Sequence, residues 1–186
     1  MRISSSQAEE DALLTVAKLM VVSARTAPKG RGIDRVETTI VMGEEKKRLV
    51  KAMEDKAEQK FPWFKRDADN LRRSPVVVLI GVKGTEPKRP EDPINCGACG
   101  YSSCGEFMSV KKKKGEDFTG PICILEALDL GIALGSAVKL ASDLNIDNRM
   151  MYTIGAAAKA LNSLDADVII GVPLSISGKN IFFDRR

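Results

Sequence analysis

The chain's four cysteines stand close together. Cys96, Cys99 and Cys104 form a C-x2-C-x4-C loop, and Cys123 follows in Gly120-Pro121-Ile122-Cys123. Four thiolates brought to one place can hold a tetrahedral metal ion or a compact iron–sulfur cubane. Three ligands from one tight loop and a fourth from farther along is a usual arrangement for a four-iron cluster. Gly97, Gly100 and Gly105 let the backbone bend around such a group and turn N–H groups towards its sulfurs. Hydrogen bonds of that kind raise the reduction potential.

The spacing weighs the alternatives. Structural zinc favours two paired C-x2-C knuckles, and here the second half supplies a single cysteine. The order also differs from the tight bacterial ferredoxin run and from the plant type. The expectation is one [4Fe–4S] cluster on Cys96, Cys99, Cys104 and Cys123, with zinc, disulfides or idle thiols as the other readings. The sequence contains no histidine. That excludes histidine general bases, Ser-His-Asp triads, His-ligated zinc and haem, and the metalloprotease motif. Chemistry must come from cysteines, carboxylates, lysines or a bound cofactor.

At 186 residues the chain suits one domain, 1–186, with the four-cysteine segment 94–124 inside it. The net charge is +4. The one dense basic run, Lys111–Lys114, is followed by Glu116 and Asp117 and reads as a solvated loop. A docking patch for an acidic electron-transfer partner is the other reading. With few aromatics and no broad basic face, nucleic acid is not an expected partner. No apolar run is long enough to span a membrane, and the first residues lack a signal peptide's pattern, so the expected location is the cytoplasm, where thiols stay reduced.

The elements that position the cysteines follow from pattern. Ser6 with Glu9 reads as a capping box, opening a helix to about Ala24 whose apolar face is Ala8, Ala12, Val16, Leu19 and Met20. Arg25 to Gly32 is a loop. Val36 to Met42 is a strand, and Glu44 to Lys60 is an amphipathic helix with Leu49, Met53, Ala57 and Phe61 on one stripe. Pro62 to Ser74 reads as a turn with a short helix, and Trp63 and Phe64 within it are ambiguous between surface and core. Val76 to Val82 is apolar without alternation, the pattern of a central strand buried on both faces. Lys83 to Asn95, with its three prolines, is a loop leading to the cysteines. Helices are expected over Ile124–Leu144 and Asn148–Leu164, the latter capped by Asp147, with a last strand from Val168 to Val172 closed by Pro173. The fold class is α/β or α+β: a small, mostly buried sheet wrapped by helices, carrying a cysteine-rich insertion.

Two weaker features have ordinary explanations. Gly178-Lys179 does not make a phosphate loop, because the glycine spacing is wrong and Asn180 stands where Ser or Thr is needed. Ser175, Ser177 and Lys179 read as a polar C-terminal loop. Ala127, Gly131 and Gly135 form a small-residue stripe, read first as core packing and second as a homodimer seam.

The cysteine pattern resembles the four-iron domain of electron-transport complexes and corrinoid iron–sulfur subunits. Across the wider chain, Asn95-Cys96-Gly97-Ala98-Cys99-Gly100-Tyr101, Asp129-Leu130-Gly131-Ile132-Ala133, Asp147-Asn148-Arg149-Met150-Met151, Gly171-Val172-Pro173-Leu174-Ser175 and Lys179 to Arg185 are similar to the DUF2148 family of ferredoxin-domain-containing proteins. More distantly, the order helix, Ala24-Arg25-Thr26-Ala27-Pro28-Lys29, strand resembles the FMN-binding segment of nitroreductases. That resemblance implies a nitroreductase-like fold and FMN, with Arg25, Lys29 and Arg31 holding the flavin phosphate. The family's N-terminal basic motif is missing, and Lys29 and Gly32 stand about where it carries serine and asparagine. The function expected is electron transfer through one [4Fe–4S] cluster, to a partner protein, a small-molecule acceptor or a flavin; with flavin bound the chain is an oxidoreductase. The other reading is a non-enzymatic binding module whose metal fixes its fold.

Overall fold

The structure is a computed structural model that describes residues 2–59 and 61–183. Lys60, at the end of the expected second helix, and Asp184 and Arg185, in the family-like C-terminal segment, lie outside the described residues.

The sheet is organised by Val76–Val82 (β2), buried at every position. It pairs antiparallel with Val36–Val41 (β1) on one side and with Val168–Ser175 (β6) on the other. A short strand, Asp147–Asn148 (β5), adds to the far edge of β6, so the order is β1-β2-β6-β5 and every pairing is antiparallel. The unbroken apolar run of β2 now has a cause. Val76, Val78, Ile80 and Val82 enter one hydrophobic core, while Val77 and Leu79 enter a second on the opposite face. Side chains of a strand alternate between faces, so a sheet covered by helices on both sides needs apolar residues at every position.

The first core lies under two long helices, Ser5–Thr26 (α1) and Ile124–Asp143 (α5). The cap of α1 is Ser4, whose Oγ accepts the Gln7 backbone N–H at 3.2 Å, two residues earlier than the expected Ser6 box. Its buried face is Leu13, Val16, Ala17, Met20 and Ala24, while Ala8, Ala12 and Leu19 face solvent. Only Val16 and Met20 of the expected face are buried, because the stripe is rotated towards Leu13 and Ala17. On α5 the buried face is Glu126, Asp129, Leu130, Ala133, Leu134, Ala137 and Ala141. The small side chains Ala17, Ala24, Ala133 and Ala137 suit a close approach of the two helices, and Ser23 and Ser136 share a 2.7 Å hydrogen bond across the pair. Gly131 and Gly135 are exposed, and a Cβ at either would meet nothing within 4 Å, so the stripe read as core packing lies outside the core.

The second core lies under Gly43–Gln59 (α2), Trp63–Arg73 (α3) and Tyr152–Ala160 (α6). Helix α3 is longer than the expected short helix because Phe64, Ala68 and Leu71 give it an apolar face. Phe64 is buried at 1% exposure and Trp63 stands in solvent at 55%, which settles their roles. The C-terminal part departs further from expectation. Asp147 and Asn148 pair with Ser175 and Leu174 as strand, and the helix begins only at Tyr152. Asp147 accepts a 2.9 Å bond from the Asn180 side chain and caps no helix. Strand β6 continues through Pro173 to Ser175. Gly171 exchanges both backbone bonds with Met151, so Pro173, two residues on, turns its missing N–H towards the same edge, where Arg149 and Met150 have left the ladder. Helix α6 lies directly on this strand: a Cβ at Gly155 would fall 1.7 Å from the Ile169 carbonyl oxygen. Among the described residues, no helix is long and apolar enough to cross a membrane.

Candidate metal centre

The loop after β2 is tied down before it reaches the cysteines. Gly84 and Thr85 donate their N–H groups to Asp167 Oδ2 at 2.9 and 3.1 Å, and the Gly84 carbonyl accepts the Cys123 N–H at 2.8 Å. Asn95 then takes a left-handed backbone (φ 52°) and its Oδ1 accepts the Cys104 N–H at 2.8 Å. This bond closes a ring around residues 96–103, inside which Gly97 and Gly100 turn at φ 74° and 88°. Asn and Gly are the residues that adopt this conformation readily.

Cys104 begins a short helix, Cys104–Ser109 (α4). Ser103 caps it by accepting the Glu106 N–H at 3.1 Å, and the Glu106 carboxylate reaches back to the Ser102 N–H and hydroxyl at 2.9 and 2.7 Å. Those two bonds hold the Glu106 carboxyl below its ordinary range. Phe107, 1% exposed, anchors α4, with the Lys112 ammonium 3.8 Å from its ring centroid. Lys113–Lys114 (β3) pairs with Thr119–Gly120 (β4), so the second half of the basic run is one strand of a small hairpin leading back to Cys123.

Cys123 occupies the N-cap position of α5, and its carbonyl accepts from Glu126 and Ala127 at 3.1 and 3.2 Å. A helix N-terminus favours negative charge, which suits a thiolate or an anionic cluster. All four cysteines line one small cavity together with Pro87, Phe107 and Ile124. Cys96 is exposed, Cys99 and Cys104 are half-buried, Cys123 is buried, and all four are free thiols. Among the described residues, no three His, Cys, Asp or Glu side chains close on a single point as ligands of one ion do.

A buried ionic cluster adjoins this cavity. Lys88, its side chain 1% exposed, donates to the Ile33 carbonyl at 2.7 Å and to Glu126 Oε2 at 2.8 Å, and lies 2.5 Å from Asp129 Oδ2. Asp129 Oδ1 accepts the Gly30 N–H at 2.8 Å. Glu126 Oε1 has Arg35 3.8 Å away, and neither that oxygen nor Asp129 Oδ2 has a well-directed hydrogen bond. Burial pushes the Glu126 carboxyl above its ordinary value, and Lys88 and Arg35 only partly offset it. Sequence reasoning missed this group. Its one signal was two carboxylates three apart on the face of α5 that also carries Leu130, Ala133 and Ala137.

The three basic residues read as a phosphate grip are engaged within the chain. Arg25 pairs with Asp34 at 2.6 Å. Lys29, its side chain 5% exposed, donates to the carbonyls of Ala24, Arg25 and Ala27 at 2.9, 2.8 and 2.6 Å, closing the C-terminus of α1. Arg31 holds the Asp92 carboxylate and its carbonyl, and its side chain borders a second small cavity that also touches Cys96, Cys104 and Cys123. The three do not converge on one vacant point: Arg25 and Lys29 share Asp34, and Arg31 faces the cysteines.

Comparison with known proteins places this geometry. A protein of Archaeoglobus fulgidus, described as uncharacterized, is 46% identical over 185 residues, which is 100% of this chain and 98% of its own length. The family model for an uncharacterized protein containing a ferredoxin domain (DUF2148) matches residues 119–185, from just before Cys123 onward. Solved structures share the fold at low identity. An FMN- and NADPH-dependent nitroreductase from sphigopyxis sp. strain HMH aligns with TM-score 0.55 and 14% identity over 92% of this chain and 82% of its own. A nitroreductase family protein of Clostridium novyi NT aligns with TM-score 0.51 and 17% identity over 99% and 79%. The FMN-dependent nitroreductase of Mycobacterium smegmatis gives 0.53 and 10% over 89% and 78%. The sheet and its two helical layers are thus the nitroreductase fold, and the chain belongs to the DUF2148 family of ferredoxin-domain-containing proteins.

Proposed function

We propose that this chain is an electron-transfer protein that holds one [4Fe–4S] cluster on Cys96, Cys99, Cys104 and Cys123. The observation that carries the reading is that all four cysteines line one cavity although Cys123 comes from a different element. The donor set fits: four free thiols, two positive-φ glycines in the loop, and a helix N-terminus behind Cys123. The spacing favours a cubane over zinc, because Cys123 stands alone where structural zinc favours a second paired knuckle. The ferredoxin-domain family supports the same class of chemistry.

When bound, the cluster supplies one-electron transfer. The chain's own groups set its conditions. Phe107 and Pro87 keep water from the inner side of the cavity, and the exposed Cys96 leaves an edge where a redox partner or small acceptor can approach. Single Cys→Ser variants test the reading. Each of the four is expected to lose visible absorbance and iron after anaerobic purification. Retention of full metal content by the four variants sinks the proposal.

A flavin-linked oxidoreductase is the second reading, favoured by the FMN-dependent nitroreductases that share the fold. A phosphate at Arg25, Lys29 and Arg31 has to displace Asp34, three carbonyls and Asp92. Quenching of FMN fluorescence on titration with the protein supports this branch; unchanged fluorescence removes it.

A further inference from the structure

We infer that the buried Lys88 and Glu126 are positioning residues that set the reduction potential of the cluster; this rests on the iron–sulfur reading above. Three observations carry it.

The first is placement. Lys88 lies in the same small cavity wall as Cys96, Cys104 and Cys123. Glu126 is one turn into the helix that Cys123 caps, and its N–H donates to the Cys123 carbonyl.

The second is burial. The Lys88 and Glu126 side chains are 1% and 0% exposed, so solvent screens their fields far less than those of a surface pair. A buried ion pair gives stability inefficiently, because desolvation cancels much of the attraction. Three charged side chains in the first core therefore call for an explanation beyond folding.

The third is connectivity. Lys88 hydrogen-bonds to Ile33 and Glu126 and forms an ion pair with Asp129, joining the loop that leads to Cys96 with the helix that begins after Cys123. Arg35 faces Glu126 and, beyond it, Glu86, while Arg31 and Arg89 line the same cavity as Lys88. Lys88, Arg35, Glu126 and Asp129 balance among themselves, so removing the charge of one member changes the net charge beside the cavity by one unit.

The consequence has a sign. Reduction adds one electron to an anionic group, so a nearby cation favours the reduced state and a nearby anion opposes it. Removing Lys88 lowers the potential. Removing the charge of Glu126 raises it.

The test uses the full-length chain purified anaerobically as wild type, Lys88→Met and Glu126→Gln. Iron content, visible absorbance and midpoint potential are measured, the last by dithionite titration with redox dyes. The expected result is a downward shift for Lys88→Met and an upward shift for Glu126→Gln, each about tenfold in the reduction equilibrium, or about 59 mV for a one-electron couple. Cluster-bound variants with the wild-type potential overturn the inference while leaving the iron–sulfur reading intact. Shifts in the same direction also overturn it, since a loosened loop admitting water moves both variants one way. A wild-type protein without iron–sulfur absorbance overturns both. If Lys88→Met does not fold, the isosteric Glu126→Gln decides alone, by the presence or absence of an upward shift.

Discussion

Lys29 separates a structural role from a ligand-binding one, and replacing it with Met makes the difference measurable. Its ammonium donates to three carbonyls at the end of α1 from a side chain only 5% exposed. A net hydrogen bond to a charged group contributes about 1.5–3 kcal/mol, and a cation at a partly buried helix C-terminus up to ~2 kcal/mol. The three bonds share one charge, and the carbonyl of the exposed Arg25 can turn to water when Lys29 is removed. The loss therefore amounts to one or two such bonds, about 2–4 kcal/mol. For a chain of this size, about 3 kcal/mol lowers Tm by roughly 6–12 °C. Arg25→Met is the comparator, because its ion pair with Asp34 is half exposed and costs at most about 1 kcal/mol to lose. Urea and thermal unfolding of the metal-free protein, followed by circular dichroism, read both variants. A Lys29→Met loss no larger than that of Arg25→Met refutes the assignment of Lys29 as the cap of α1.

Three further outcomes follow from the packing and the charges. Gly155→Ala forces a methyl group into the Ile169 carbonyl; the expected destabilisation is at or above the upper end of the ~1–3 kcal/mol typical of overpacking, read from the urea midpoint. Leu79→Ala empties a fully buried site in the second core and is expected to cost about 2–5 kcal/mol in the same assay. Burial and the hydrogen bond to Asp117 push Tyr152 up to about 12 from 10.0. A group whose folded value is raised contributes stability below its unfolded value and loses it as pH climbs through the folded one. Stability of the wild type is therefore expected to fall more steeply between pH 10 and pH 12 than that of Tyr152→Phe; parallel profiles contradict the pairing.

Much of the scaffold was legible because its signals are strong. The six apolar side chains of β2 can only sit between two covered faces, and the β2 and α2 expectations match the structure closely. Near the C-terminus local signals misled. Asp147 and Asn148 look like a helix start, yet β6 offers an open edge and captures them as strand. Pro173 looks like a stop, yet its missing N–H falls where no partner stands. The stripe of Gly131 and Gly135 was invisible as surface because small residues carry no amphipathic signature of their own.

At the candidate site, residue types and spacing marked the four cysteines, and the structure brings them to one cavity. The partners of the basic loop were not legible, for a different reason. Charge in a sequence does not show that Asp34, Asp92 and three carbonyls already occupy it. Lys88 was hidden for the same reason in reverse, since a lysine among prolines reads as exposed until its two carboxylates on α5 are seen around it.

The central claim is that the four thiols hold an iron–sulfur cubane, and metal and sulfide analysis of anaerobically purified protein tests it most directly. The account predicts a brown protein with about four irons and four acid-labile sulfides per chain. Colourless protein with about one zinc per chain and no labile sulfide contradicts it.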